Sequence, residues 1–165
     1  MIVPFDISAD MLDKCRQRIE KSAKYNNSHL KQKGKIWGFL SEEIISRILN
    51  VDIVDDFNYD ILTPNNVRLE VKASRILPDV EIKNYFCCTV YDSSWHQQCD
   101  DYIFCRVKKD YTGGYILGGI SKQDLDNNAI HYEKGSIEGS NKQEVLYGCR
   151  KIKIGYLRKN IWEYR

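Results

Sequence analysis

Apolar side chains recur at four-residue spacing early in the chain. Met11, Cys15 and Ile19 share one stripe, with Ser8 or Asp10 placed to cap it, which predicts a helix over about 8–24. The polar run from Tyr25 to Ser28 interrupts the pattern and predicts a loop. A second stripe, Leu40, Ile44 and Ile48 with Ile45 and Leu49 beside it, predicts a helix over 36–49 that stops at Asn50.

From Ile53 the period shortens to two. Phe57 to Leu62 and Val67 to Ala73 read as strands joined by a turn at Thr63 to Asn66, giving a hairpin. Tyr85–Tyr91, Tyr102–Lys108 and Tyr115–Ile120 read as further strands, with a polar segment over 92–100 and a turn over 110–114. Ser121 is placed to cap a short helix through about Asn127, and strand-like pieces follow at Val145–Tyr147 and Lys151–Leu157. Helices first, then strands with a late helix, predict one α/β domain over 1–165 with a mixed central sheet flanked by helices. No repeat, linker or low-complexity block divides it.

At 165 residues, 42% hydrophobic and 29% charged, the chain has the size and composition of one globular domain. No apolar run is long enough to span a bilayer, so a membrane partner is not expected. Met1 to Asp6 lacks the basic head and apolar stretch of a secretory signal, and a cytoplasmic setting is the expectation. The six cysteines include no C-x-x-C pair, so free thiols are expected rather than a disulfide framework. His96, Cys99 and Cys105 match no metal-site spacing.

The net charge of +2 says little, but its distribution says more. Eight basic residues and one acid, Glu20, lie between Lys14 and Lys35, and the stretch from Lys142 to Arg165 is also basic. Between Glu42 and Asp60 stand six carboxylates and one Arg47. Two basic arms around an acidic centre suit a surface that guides a polyanion to a metal site; ordinary solvated helix faces would look the same.

Within that frame, Asp60 closes the first hairpin strand and Glu70-Val71-Lys72 lies in the second. Alternation puts Glu70 and Lys72 on one face and Val71 on the other, and hairpin pairing brings Asp60 towards Glu70. Two carboxylates then offer hard oxygen ligands for Mg2+, with the Val71 carbonyl as a third, while Lys72 orients water or neutralises charge on phosphorus. A glutamate of the preceding helix can add a carboxylate. Glu42 borders the packed face, whereas Glu43 is spaced to pair with Arg47. Ser74 and Arg75, with Lys31, Lys33 and Lys35, are candidate phosphate contacts. Tyr85, Phe86, Tyr91 and Trp95 could stack unpaired bases, although core packing is the commoner use of such residues.

A helix bearing Glu42, a strand ending in Asp60 and a strand carrying Glu70-Val71-Lys72 resemble the PD-(D/E)XK, or restriction-endonuclease-like, nuclease superfamily. Asp101 to Phe104 is similar to its later core strand, and Ile116 to Leu125 to a strand entering a helix, so the likeness spans roughly 36–135. Tyr59 stands where the proline that names the motif would be, and Gln97 or Gln98 could fill the polar position that some members carry after the (D/E)-x-K strand. The resemblance implies a restriction-endonuclease-like fold and a Mg2+-dependent deoxyribonuclease, with Mn2+ able to substitute. Cutting both strands with one site per chain would imply a homodimer. The alternative is a catalytically inactive module of the same fold that binds nucleic acid or a protein.

Overall fold

Alternation along one central strand sets the layers of the molecule. The structure is a computed structural model that describes residues 2–22, 32–54, 56–139 and 142–165. Along those residues run β1 (Val3–Asp6), α1 (Ala9–Ser22), α2 (Gln32–Leu49), β2 (Ile61–Leu62), β3 (Arg68–Ile76), β4 (Cys87–Tyr91), β5 (Asp101–Lys108), β6 (Gly113–Ser121) and α3 (Lys122–Asn128). The short strands β7 (Ile130–Tyr132), β8 (Ile137–Glu138) and β9 (Gln143–Glu144) follow, then β10 (Cys149–Lys153). Single 3₁₀ turns stand at Asp92–Ser94, Ile154–Tyr156 and Ile161–Tyr164.

A five-stranded mixed sheet has the order β1-β6-β5-β3-β2, in which β3 and β5 are parallel and the other neighbours antiparallel. On β5, Ile103, Cys105 and Val107 face one side and Tyr102 and Phe104 the other, the two-residue period of a strand buried on both faces. The first side packs on α1 and α2 through Met11, Cys15, Leu40, Ile45 and Leu49. Leu40 and Ile45 are fully buried, and cutting either to Ala costs about 2–5 kcal/mol in sites of this kind. The second side packs on Val90 of β4, Leu125 of α3 and Ile152 of β10. The chain is thus a single mixed α/β domain with its two long helices on one face of its main sheet. The expected flanking helices are present, α1 and α2 on one face and α3 on the other, where a second antiparallel sheet, β4-β10-β7, packs beside α3.

The two long helices and the short one fall close to their predicted places, and Ser121 caps α3 by accepting from the Asp124 N–H. The loop predicted over 25–28 lies outside the described residues. β1 was not anticipated: it is four residues long and contains Pro4, which an edge strand tolerates because one side of its ladder is unpaired. The strand predicted over 145–147 is displaced to Gln143–Glu144, leaving Leu146 and Tyr147 exposed. No helix among the described residues is long and apolar enough to cross a membrane.

After the last strand the chain returns to the sheet. Tyr164 Oη donates to the buried Asp101 Oδ2 at 2.7 Å, and Lys159 Nζ reaches the same oxygen at 2.6 Å. Gly119 of β6 lies under the ring, where a Cβ would stand 2.2 Å from Tyr164 Oη. The close approach of tail and sheet therefore requires glycine there.

Candidate active site

Ile61 pairs with Leu69 and Leu62 with Arg68, so one further step of that register sets Asp60 opposite Glu70. The Asp60 N–H donates to Leu69 O at 2.9 Å, and Asp60 Oδ2 accepts from the Val71 N–H at 2.8 Å. The carboxylate is thereby fixed at the end of the hairpin ladder. The strand predicted from Phe57 shrinks to Ile61–Leu62 for a local reason. Asp56 Oδ1 accepts from the Asn58 N–H at 2.7 Å and from its side-chain amide at 3.0 Å, a turn that competes with ladder pairing.

Leu69 and Val71 enter the core beneath the helices, which leaves Glu70 and Lys72 on the opposite face of β3. There the parallel partner β5 sets Tyr102 beside Glu70, and Lys72 Nζ lies 5.9 Å from the centre of the Tyr102 ring. Lys72 Nζ donates to Glu70 Oε1 at 2.7 Å and to Gln97 Oε1 at 3.0 Å. Gln97 Nε2 in turn donates to Glu70 Oε1 at 2.8 Å and lies 3.4 Å from Phe57 O. The three side chains form a closed triangle. The segment carrying Gln97 is clamped by α3, because Lys122 Nζ donates to Trp95 O at 2.8 Å and to Gln97 O at 2.6 Å. Gln98 points into solvent.

Glu42 reaches the same neighbourhood from α2. It is buried, and its Oε2 accepts from Arg18 Nη1 of α1. Glu43 instead pairs with Arg47 one turn on, at 2.7 Å. The Asp60 carboxyl is held well above the usual aspartate range by burial first, then by the negative charges of Glu42 and Glu70; the Val71 N–H and Lys72 offset this only in part. Glu70 Oε2 is buried and has no hydrogen-bond partner among the described residues. An orphaned carboxylate oxygen amid three mutually repelling acids is a donor set that suits a hard divalent cation. Among the described residues no three His, Cys, Asp or Glu side chains close into a cage. Arg18, the Val71 N–H, Lys72 and Gln97 donate to the three acids.

The remaining candidates are more dispersed. Ser74 is exposed on the face that carries Lys72, and Arg75 is exposed with its guanidinium 5.7 Å from the centre of the Trp37 ring. Lys72, Ser74, Arg75 and Arg106 line a groove of about 240 Å³ that has no acidic residue in its wall. Lys35 is half-buried in the first turn of α2. Lys31 and the side chain of Lys33 lie outside the described residues. Much of the basic character of both arms is paired within the fold: Lys14 with Asp10, Arg16 with Asp13, Arg18 with Glu42, Arg150 with Asp92 and Asp126, Lys151 with Glu138, and Lys159 with Asp101.

His96, Cys99 and Cys105 do not converge. Cys105 lies in the core under the helices, Cys99 in the core on the other face, and His96 is exposed. All six cysteines are free thiols, five of them buried, with Cys87 exposed. Of the candidate stacking aromatics, Trp95 is enclosed between Tyr102, stacked at 6.1 Å, and the Arg150 guanidinium, 3.9 Å from its centre. Phe86 packs on the second core. Neither is open to a base, while Tyr85 and Tyr91 are exposed. Compared with known proteins, the chain matches no protein-family model and no curated protein.

Proposed function

We propose that this chain is a Mg2+-dependent nuclease of the restriction-endonuclease-like type that hydrolyses DNA phosphodiester bonds, acting as an endonuclease. The observation that carries the reading is the convergence of Asp60, Glu70 and Lys72 at one end of the β2–β3 ladder, with Gln97 joining two of them. The order of elements supports it as well: a helix bearing Glu42, the hairpin, then a mixed sheet continued by β5 and β6.

Asp60 and Glu70 are the residues that would hold the metal, with Glu42 adding negative charge from α2 and the Val71 carbonyl a further oxygen. When bound, Mg2+ supplies a Lewis acid for a phosphoryl oxygen and lowers the pKa of a coordinated water. Lys72 orients the attacking water and balances negative charge as it grows on the phosphoryl oxygens. Gln97 limits where the ammonium can point. Trp95 and Tyr102 wall the site on the side of the second core and keep Lys72 against an aromatic face.

The test is cleavage of supercoiled plasmid in Mg2+ or Mn2+, beside an EDTA control and Lys72→Ala. Metal-dependent nicking or linearisation that falls by about 10²–10⁴-fold in the variant supports the assignment. Cleavage unaffected by EDTA or by Lys72→Ala overturns it. DNA retention with no cleavage in any divalent metal moves the chain to the binding-module reading.

A further inference from the structure

Phe57 is 73% exposed, although its backbone is held within one side chain of the site. Its carbonyl oxygen lies 3.4 Å from Gln97 Nε2, the same nitrogen that donates to Glu70. One face of the Phe57 ring is covered by the imidazole of His96, with centroids 5.0 Å apart and planes 22° from parallel. His96 is itself exposed and directly precedes Gln97 on the segment clamped by Lys122. The pair is thus a stacked, solvent-facing platform bolted to the rim of the Glu70–Lys72–Gln97 triangle. It contributes nothing to either hydrophobic core.

We infer that the Phe57–His96 pair stacks an unpaired nucleobase beside the scissile phosphate, so that the substrate is DNA with single-stranded character, such as a flap, gap or frayed end. This rests on the nuclease reading and narrows its substrate. Inside a continuous duplex every base already stacks on two neighbours, and no face is free to lie on Phe57. An unpaired base offers a free face, and an aromatic ring accepts it whatever its sequence. A phenylalanine already stacked in the free protein loses less conformational freedom on binding than an isolated exposed one would. The groove containing Lys72, Ser74, Arg75 and Arg106 gives the adjoining phosphates a cationic wall free of acids.

The experiment measures binding of the full chain, in Ca2+, to a short single-stranded DNA carrying 2-aminopurine and to a blunt duplex of the same sequence. Parent protein should bind the single strand with quenching of the 2-aminopurine. Phe57→Ala should weaken that binding roughly five- to a hundredfold and abolish the quenching, while leaving duplex binding unchanged. Phe57→Trp should retain both, and His96→Ala should lose part of each. A parent chain that does not quench, or a Phe57→Ala variant that weakens both DNAs equally or neither, overturns the inference. The readout does not depend on cutting. A chain that cleaves DNA without Phe57-dependent quenching loses the platform alone, and one that quenches but cleaves neither plasmid nor a flapped or gapped duplex in Mg2+ or Mn2+ loses the nuclease assignment alone.

Discussion

Gln97 holds Lys72 together with Glu70, accepting from Nζ at 3.0 Å while its own amide nitrogen donates to Glu70 Oε1 at 2.8 Å. A lysine amine has three donors and a long flexible stem, so two fixed acceptors narrow its reach to one direction. On the proposed function, Gln97→Ala lowers kcat by about ten- to a hundredfold with KM near the parental value. Steady-state cleavage kinetics check it. A raised KM with unchanged kcat would place Gln97 in substrate binding instead.

Asp60 illustrates the tension between site and stability. Its carboxylate is buried among the like charges of Glu42 and Glu70. Asp60→Asn keeps an oxygen for the Val71 N–H and removes one charge. In EDTA, the variant should therefore unfold at the same temperature as the parent or a higher one. Adding Mn2+ should raise the melting temperature of the parent and leave the variant unmoved. Thermal scans of both proteins with and without metal check it, and equal metal shifts would remove Asp60 from the ligand set.

Cysteine labelling reports burial directly. Burial pushes the thiol of Cys15 up to about 11 and those of Cys88 and Cys105 to about 12, so their thiolate fractions at neutral pH are very small. Cys87 alone is exposed. Iodoacetamide should modify one cysteine in the native protein and six after denaturation, as read by intact mass. Rapid native labelling of Cys105 would contradict the packing of β5 against α2.

The tail contact predicts a graded pair of variants. Tyr164→Phe removes a hydrogen bond to a buried carboxylate and should cost roughly 1.5–3 kcal/mol. Gly119→Ala forces a Cβ into Tyr164 Oη and should destabilise as much or more, because the 3₁₀ turn at Ile161–Tyr164 must lift away from the sheet. Urea unfolding measures both, and wild-type midpoints in the two variants would exclude the docked tail.

Arg68 and Asp100 give a pH test. Two guanidinium contacts, at 3.0 and 2.6 Å, and the Arg68 N–H hold the Asp100 carboxyl below its usual 3.8. A carboxyl lowered in the folded state stabilises above its unfolded value, and that stabilisation disappears as pH falls through the folded value. Both side chains are about 40% exposed, so solvent screening keeps the contribution small. The stability gap between parent and Arg68→Ala should therefore be present at pH 6 and shrink below pH 3.8. A gap that widens on acidification would reverse the assignment.

What was legible in the chain was local. Glu70 and Lys72 are two positions apart in a strand, and pleating alone puts them on one face. Glu42 was separable from Glu43 because the latter has Arg47 one helical turn away. Gln97 could be named only beside Gln98, since 25 residues separate it from Lys72 and no periodicity spans that interval. Phe57 was misread because its aromatic, apolar character suits a strand, while the turn at Asp56 that removes it from the ladder is a side-chain event. The final turn did carry a readable signal. Asn160 accepts from the Trp162 N–H, Glu163 accepts in return from the Asn160 N–H, and Asn-x-x-Glu marks such a reciprocal cap in sequence.

The pairing of β1 with β6 also governs the order in which the molecule can be made. Val3 finds Ile116, so more than a hundred residues must be synthesised before β1 has a partner. At about 5–20 residues per second, that is a wait of several seconds to some twenty seconds on the ribosome. A longer, smoother strand would be a template for wrong partners during that interval. Four residues interrupted by Pro4 are a poor template, because proline offers no N–H to an intruding strand. The same brevity that hid β1 in the sequence makes it safe to leave waiting, and the sheet is completed by a strand that emerged long before its partner.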